Sequence, residues 1–332
     1  MKTGRLRTPI CEMFGIEYPI WLAGMGGVSM APLVAAVSNA GGLGVIGAAT
    51  LSAEGLRREI RKTRELTDKP FAVDLLAPIP DTIRPHMQVI YDENVKVFVA
   101  GLAVPRDFIA GMHERGIKVV VMTGKVSHAL RAEEAGADVV VAQGTEAGGH
   151  TGEIGALALV PQVVDAVKIP VLAAGGIVDG RGLVAALALG AQGVVIGTRF
   201  IASLESTAAP AYRDAIVRAL DDSTVRTRCY TGKPARTLRN PYIAGWEQDP
   251  SKIQPFPQQI AHSSQQGVLD YAGRHGDCDP QRTFMPAGQG SGGIHAVRPA
   301  EQIFRDIVTE AERVVAERFL AAAENRDQAS AT

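Results

Sequence analysis

Eight short, almost wholly apolar runs, bounded by glycine, proline or polar turns and followed by longer amphipathic stretches, constrain this chain more than any other feature. They fall at 19–25, 43–49, 71–77, 95–101, 118–124, 138–144, 171–176 and 193–200. Between them the 3.6-residue period predicts helices over 31–40, 52–67, 81–93, 106–115, 126–135, 156–167 and 179–189. In 52–67, Leu56, Ile60 and Leu66 mark one face against Arg57, Arg58, Arg61 and Lys62, with Ser52 placed to cap the start and Glu54 in the first turn. Strands that are apolar throughout, rather than alternating, are those of a parallel sheet packed on both faces. Eight such units in an α/β chain make a TIM (β/α)8 barrel. An open doubly wound sheet is the alternative, since periodicity does not show whether a sheet closes; the even count and regular spacing favour closure.

After residue 200 the rhythm stops. Residues 201–219 read as helix, 237–299 are rich in Pro, Gly and Gln with no strand pattern, and 299–323 form an amphipathic helix with Ile303, Ile307, Val314 and Phe319 available to pack. The expected organisation is a barrel built from 1–204 and 299–332, with a smaller, mainly α or irregular lobe, 205–298, inserted after the eighth strand. At 332 residues the chain has room for both.

Composition narrows the function classes. Apolar residues at 46% rule out wholesale disorder, and 36 glycines with 5% aromatics suit many βα turns better than an all-β sandwich. The 34 basic and 35 acidic residues leave a net charge of −1, which gives no general attraction to nucleic acid or to a membrane surface. Cys11, Cys229 and Cys278 are far apart and form no CxxC, so free thiols in a reducing compartment are expected. The first residues lack a secretory apolar core, and no apolar run reaches about 18 residues. A cytoplasmic chain is the expectation. Its oligomeric state stays open, and a homodimer through barrel helices is one outcome.

Gly42-Leu-Gly44-Val-Ile-Gly47 satisfies GxGxxG, but the residues lie along an apolar strand instead of in a strand-to-helix turn, so they read as structural glycines. The last two strand ends are more informative. Gly175-Gly176 and Gly197-Thr198 stand where barrels present backbone N–H groups to a phosphate, and Thr198 adds a hydroxyl. The loop 142–153, AQGTEAGGHTGE, follows the sixth strand and carries His150, a general acid or base if it faces the site. Gln143 can reach a ring-shaped cofactor through its amide, and Glu146 can orient the loop. No Cys/His cluster, HExxH or carboxylate pair points to a metal.

PIWLAGMGGVS at 19–29, SNAGGLGVIGA at 38–48, AQGTEAGGHTG at 142–152 and AAGGIVDGRGLVAALALGAQGVVIGTRF at 173–200, together with ARTLRN at 235–240 and PAGQGSGGI at 286–294, resemble the nitronate monooxygenase family, formerly 2-nitropropane dioxygenase. The resemblance runs over nearly the whole chain. It implies an FMN-binding barrel in which Gly175, Gly176, Gly197 and Thr198 hold the phosphate and Gly24 and Met25 border the isoalloxazine, with Asp74, Gln143, Gly148 and Gly149 also against the cofactor. His150 matches the family's active-site histidine. Asp74 stands where relatives commonly have Asn, and an ionised carboxylate there would disfavour a reduced anionic flavin unless protonated or paired. The stretch 284–289 is shorter than in relatives with an aromatic residue before AGQ. The implied reaction is oxidation of an alkyl nitronate, such as propionate 3-nitronate, by O2 to a carbonyl compound and nitrite. NAD(P)H-dependent quinone or enoyl-thioester reductases share the fold and much of the GGH loop, and a flavin-binding protein without efficient turnover is a third reading.

Overall fold

In a computed structural model of the chain, residues 6–76, 80–273 and 276–320 are described, those at 80–82, 319 and 320 by backbone alone. Phe319, expected to pack, has its side chain outside that set. The chain begins with helix α1 (Pro9–Phe14) and then alternates: β1 (Ile20–Leu22), α2 (Ala31–Asn39), β2 (Gly44–Gly47), α3 (Ala53–Leu66), β3 (Phe71–Leu76), α4 (Pro80–Asp92), β4 (Val97–Gly101), α5 (Arg106–His113), β5 (Lys118–Thr123), α6 (Val126–Glu134) and β6 (Val139–Gln143). A two-residue strand, β7 (Gly149–His150), interrupts the alternation before α7 (Ala156–Ala166), β8 (Val171–Ala174), α8 (Gly180–Ala188) and β9 (Gly193–Ile196).

Eight of these strands form one parallel sheet in the order β1-β9-β8-β6-β5-β4-β3-β2. The ring closes between its first and last members. Trp21 bridges Leu43, with Leu22 N donating to Leu43 O at 2.9 Å and Leu43 N to Ile20 O at 3.0 Å. The fold is therefore the TIM barrel, and the open sheet is excluded.

Strand alternation splits the apolar runs into two layers. Trp21, Leu43, Val45, Ala72, Val97, Val99, Val120, Val141, Leu172 and Val195 point inward and pack on Ile10, Cys11 and Phe14 of α1, which plugs the end where the strands begin. The alternate residues, among them Ile20, Ile46, Val73, Phe98, Val119, Val140 and Val194, meet the helices outside. Ser52 caps α3 as the sequence implies, its Oγ accepting from Gly55 N at 3.1 Å.

Two expectations need correction. The helix expected over 201–219 is broken: a short α9 (Thr198–Ile201) and α10 (Pro210–Val217) are separated by eight residues, with Pro210 starting the second helix. The region just before and at the start of the stretch 237–299 holds two strands that the sequence reading did not place. In antiparallel order β10 (Thr224–Thr227) pairs with β11 (Ala235–Leu238), and β11 pairs with β7. The alternation failed to show β11 because all four of its residues are buried, Arg236 included. Helices α11 (Pro241–Glu247) and α12 (Gln258–Gln265) follow, and α13 (Ala300–Val314) returns against α8 and α2, burying Ile303, Ile307 and Val314. No helix of the described residues is long and apolar enough to cross a membrane.

Candidate active site

Every residue singled out from the sequence lies in or just beyond the C-terminal half of a strand, on the side opposite the α1 plug. Asp74 occupies the inward phase of β3, two residues after Ala72, in register with Gly47 on one side and Val99 on the other. It is 7% exposed, and its carboxyl has no hydrogen-bond partner among the described residues. Burial alone pushes its carboxyl up to about 8. Near neutral pH it is a carboxylic acid that can donate as well as accept. Gly24, just after β1, makes room for it: a Cβ at Gly24 would lie 2.2 Å from Asp74 Cβ. Met25 follows, and its sulfur would lie 3.4 Å from a Cβ placed on Gly197.

Beyond β8 the backbone turns through Gly175 and Gly176 at φ +103° and +73°, a region where L side chains are strained. A Cβ on Gly175 would also press on Gly144 O at 3.1 Å. Among the described residues neither Gly176 N–H nor Thr198 N–H has a hydrogen-bond acceptor. Two adjacent strand ends whose N–H groups are left unpaired by the described residues suit an anionic oxygen. The segment 287–289 closes over this turn. Gly288 N donates to Thr198 Oγ1 at 3.0 Å, Gln289 N to Glu146 O at 2.8 Å, and a Cβ on Gly148 would fall 2.8 Å from Ala287 C. Gly148 thus serves close packing of two loops, whereas Gly149, at φ +73° with open space around it, serves the turn.

His150 stands on the other side of the same loop. Its strand, β7, is pinned by Ala235 and Arg236 of β11, and Arg236 Nε donates to Thr145 O at 2.8 Å from beneath. Gln143 Nε2 donates to His150 O at 2.8 Å, and both carboxylate oxygens of Glu146 accept from Ala156 N at 2.9 Å, tying the loop to the start of α7. His150 Nε2 lies 2.9 Å from Thr231 Oγ1. Burial first, and then the charge of Lys233, bring the imidazole down to about 4, so it is neutral at pH 7.

The ring opens onto a cleft of about 490 Å³ lined by Gln143, His150, Thr123 and the loops after β4 and β5. Arg106, Lys125, Arg131 and Lys233 line it and no Asp or Glu does, in a chain whose overall charge is near balance. Lys233 is held against the Phe256 ring, 4.6 Å from its centroid.

The predicted residues thus fall into three adjoining groups. Gly148, Gly175, Gly176, Gly197 and Thr198 gather at the glycine turn with Met25 beside them, Gln143 and His150 face the cleft with Gly149 next to His150 in β7, and Gly24 and Asp74 meet inside the rim. Sequence reasoning missed Thr231, Lys233 and Arg236. Arg236 lies inside the recognised ARTLRN segment and Lys233 two residues before it, but Thr231 is 81 positions from His150 and no local pattern links them.

The family model described as nitronate monooxygenase matches residues 7–310. A (3aS,4S,5R,7aS)-5-hydroxy-7a-methyl-1-oxo-octahydro-1H-indene-4-carboxyl-CoA dehydrogenase of Rhodococcus jostii is 43% identical over 244 residues, covering 73% of this chain and 68% of its own. A probable nitronate monooxygenase of Staphylococcus saprophyticus is 38% identical over 302 residues, covering 77% of this chain and 85% of its own. The solved structure of FabK from Thermotoga maritima superposes with a TM-score of 0.86 at 39% identity, covering 94% of this chain and 98% of that one.

Proposed function

The chain belongs to the nitronate monooxygenase family, whose relatives here are named oxidoreductases, and on that premise we propose that it is an FMN-dependent enzyme oxidising alkyl nitronates with O2 to a carbonyl compound and nitrite. The observation that carries this reading is a neutral, half-buried His150 opening onto a cleft lined by four cationic side chains and no carboxylate. Such a cleft favours an anion, and a nitronate is one.

The residues present fit a flavin mononucleotide. The free N–H groups of Gly176 and Thr198, with the Thr198 hydroxyl, would hold its phosphate, and Gly24, Met25, Asp74, Gln143, Gly148 and Gly149 would border the rest. FMN, when bound, supplies the redox chemistry; the protein supplies position and charge. Asp74, protonated near neutral pH, would offer the ring an O–H donor where an Asn would offer N–H, without placing a negative charge there. Gln143, its Nε2 engaged by His150 O, keeps its carbonyl oxygen as an acceptor for a ring N–H. His150 accepts the proton of a neutral nitroalkane or orients the oxygens of a nitronate, and Lys125 and Lys233 draw the anion in.

FMN-loaded chain mixed in air with propionate 3-nitronate or alkyl nitronates should consume O2 and release nitrite. Neither signal at millimolar substrate would sink the reading. The size of the cleft favours a second one: about 490 Å³ lies in the range of roughly 300–1,000 Å³ that takes drug-sized ligands, more than a small nitronate needs. NAD(P)H-dependent reduction of a thioester or quinone would use that space, and the carboxyl-CoA dehydrogenase relative carries a thioester in its name. Anaerobic bleaching of the flavin by NADH or NADPH, with no reaction toward nitronate, would select it.

A further inference from the structure

Thr231 is 3% exposed and belongs to no element of the barrel, yet its hydroxyl oxygen sits among three polar atoms. His150 Nε2 lies at 2.9 Å, Lys233 O at 3.1 Å and Lys233 N at 3.3 Å. A hydroxyl has one proton to give and two lone pairs to receive. Lys233 N–H can only donate and Lys233 O can only accept, so two of the three contacts have fixed directions. The remaining one follows by counting. If the hydroxyl proton goes to Lys233 O, the oxygen receives from Lys233 N–H and has one lone pair left, which only a protonated Nε2 can use. If the proton went to Nε2 instead, Lys233 O would lose its donor and the hydroxyl would receive one bond in place of two. The first arrangement satisfies every atom.

The other ring nitrogen has the opposite surroundings. Nδ1 of His150 has no hydrogen-bond partner among the described residues and is not among the sealed, unpartnered side-chain atoms, while the residue lines the cleft. We propose that Thr231 is a positioning residue that fixes His150 as the Nε2–H tautomer and so presents Nδ1 to the cleft as a bare lone pair, the proton acceptor of the site. In the forward step Nδ1 takes the α-proton of a neutral nitroalkane; the C–H electron pair moves into the nitro group to give the nitronate, and the proton stays on the ring as imidazolium. The inference deepens the reading of His150 as the acid–base group and rests on it for the chemical step alone. The tautomer itself is a property of the chain without substrate.

The test is ¹⁵N NMR of FMN-loaded protein labelled at histidine nitrogen, recorded at pH 7, with His150 assigned by the signal lost in His150→Gln. The expected spectrum shows Nε2 protonated and Nδ1 not. Thr231→Val, close in volume but unable to receive, should shift the ring toward a mixture of tautomers and lower kcat with a neutral nitroalkane about tenfold, with KM and flavin content little changed. Thr231→Ser should restore both the tautomer and kcat. Protonated Nδ1 in the wild-type chain overturns the proposal, as does a Thr231→Val ring with an unchanged tautomer. Should Thr231→Val not fold, the wild-type and Thr231→Ser spectra still decide it. Failure of the nitrite assay with Nε2–H observed would remove the proposed reaction and leave the tautomer assignment standing.

Discussion

Two carboxyl groups in this molecule are almost equally buried and are treated in opposite ways. Glu93, 8% exposed, lies just after α4 and receives Arg57 at 3.0 Å, Arg61 at 2.8 Å and Arg64 at 3.1 Å, all from the polar face of α3. Burial pushes its carboxyl up, but the hydrogen bonds of Arg61 and Arg57 and the charges around them outweigh that, and it ends below the ordinary range. Asp74, 7% exposed, meets no such partner and ends near 8. The helical layer neutralises its buried charge with its own side chains. The strand-end region leaves its carboxyl unpaired, at the rim where a glycine turn has free N–H groups and where His150 is held uncharged. One region pairs its buried charge within the chain; the other leaves its carboxyl unpaired, the pattern a functional site has.

The comparison breaks most visibly with pH. Asp74 titrates near 3.8 unfolded and about 8 folded, so between those values the folded chain holds a proton that the unfolded chain has released. Its contribution to stability is full below pH about 4 and is lost as pH rises toward 8, by at most about 6 kcal/mol at 1.36 kcal/mol per unit. Asp74→Asn should abolish that part of the decline, and urea unfolding of flavin-free protein at pH 5 and 8 would show it. A variant that loses stability between those pH values as steeply as the parent contradicts a neutral carboxyl in the site.

With a neutral nitroalkane as substrate, His150→Ala should cost about 10²–10⁴-fold in kcat/KM while the flavin stays bound and the melting temperature barely moves. With the imidazole at about 4, the parent's activity should hold steady as pH falls from 7 and decline only near pH 4, where the ring gains its proton. Glu93→Gln should do the reverse: a loss of about 1–3 kcal/mol in unfolding free energy with kcat/KM unchanged. Its pH signature is also opposite in sign to that of Asp74. The Glu93 contribution is present above the unfolded carboxyl value and disappears as pH falls through the lower folded one.

How much of this could be read in the sequence divides along the same line. The eight strands announced themselves as continuous apolar runs because both their faces are buried, and Gly175-Gly176 announced a turn because the positive φ there demands glycine. Asp74 was legible as a position but not as a state: the letter is the same in a salt bridge and in a dry pocket, and only the inward phase of β3 decides which. The second sheet was missed for a related reason. In β11 every residue is buried, so Ala-Arg-Thr-Leu carries no alternation, and its partners in β7 and β10 lie in separate stretches of chain. Thr231 was out of reach because its role depends on a contact made across that sheet.

The smallest effect sharpens the comparison by acting on the structural side alone. Ser52 caps α3 by accepting from Gly55 N at 3.1 Å, and α3 is the element that carries Arg57, Arg61 and Arg64 onto Glu93. Ser52→Ala leaves that N–H without its acceptor and should cost about 1 kcal/mol, a few degrees in melting temperature at most. The first turn would fray, but Leu56 and Ile60 are fully buried against the barrel, so the arginines should stay in reach of Glu93. Flavin affinity and kcat/KM should then match the parent within twofold. A measurable loss of either would mean that the turn after β2, whose Gly47 packs on Met25, passes strain from the helical layer into the site, and the two regions would have to be described as one.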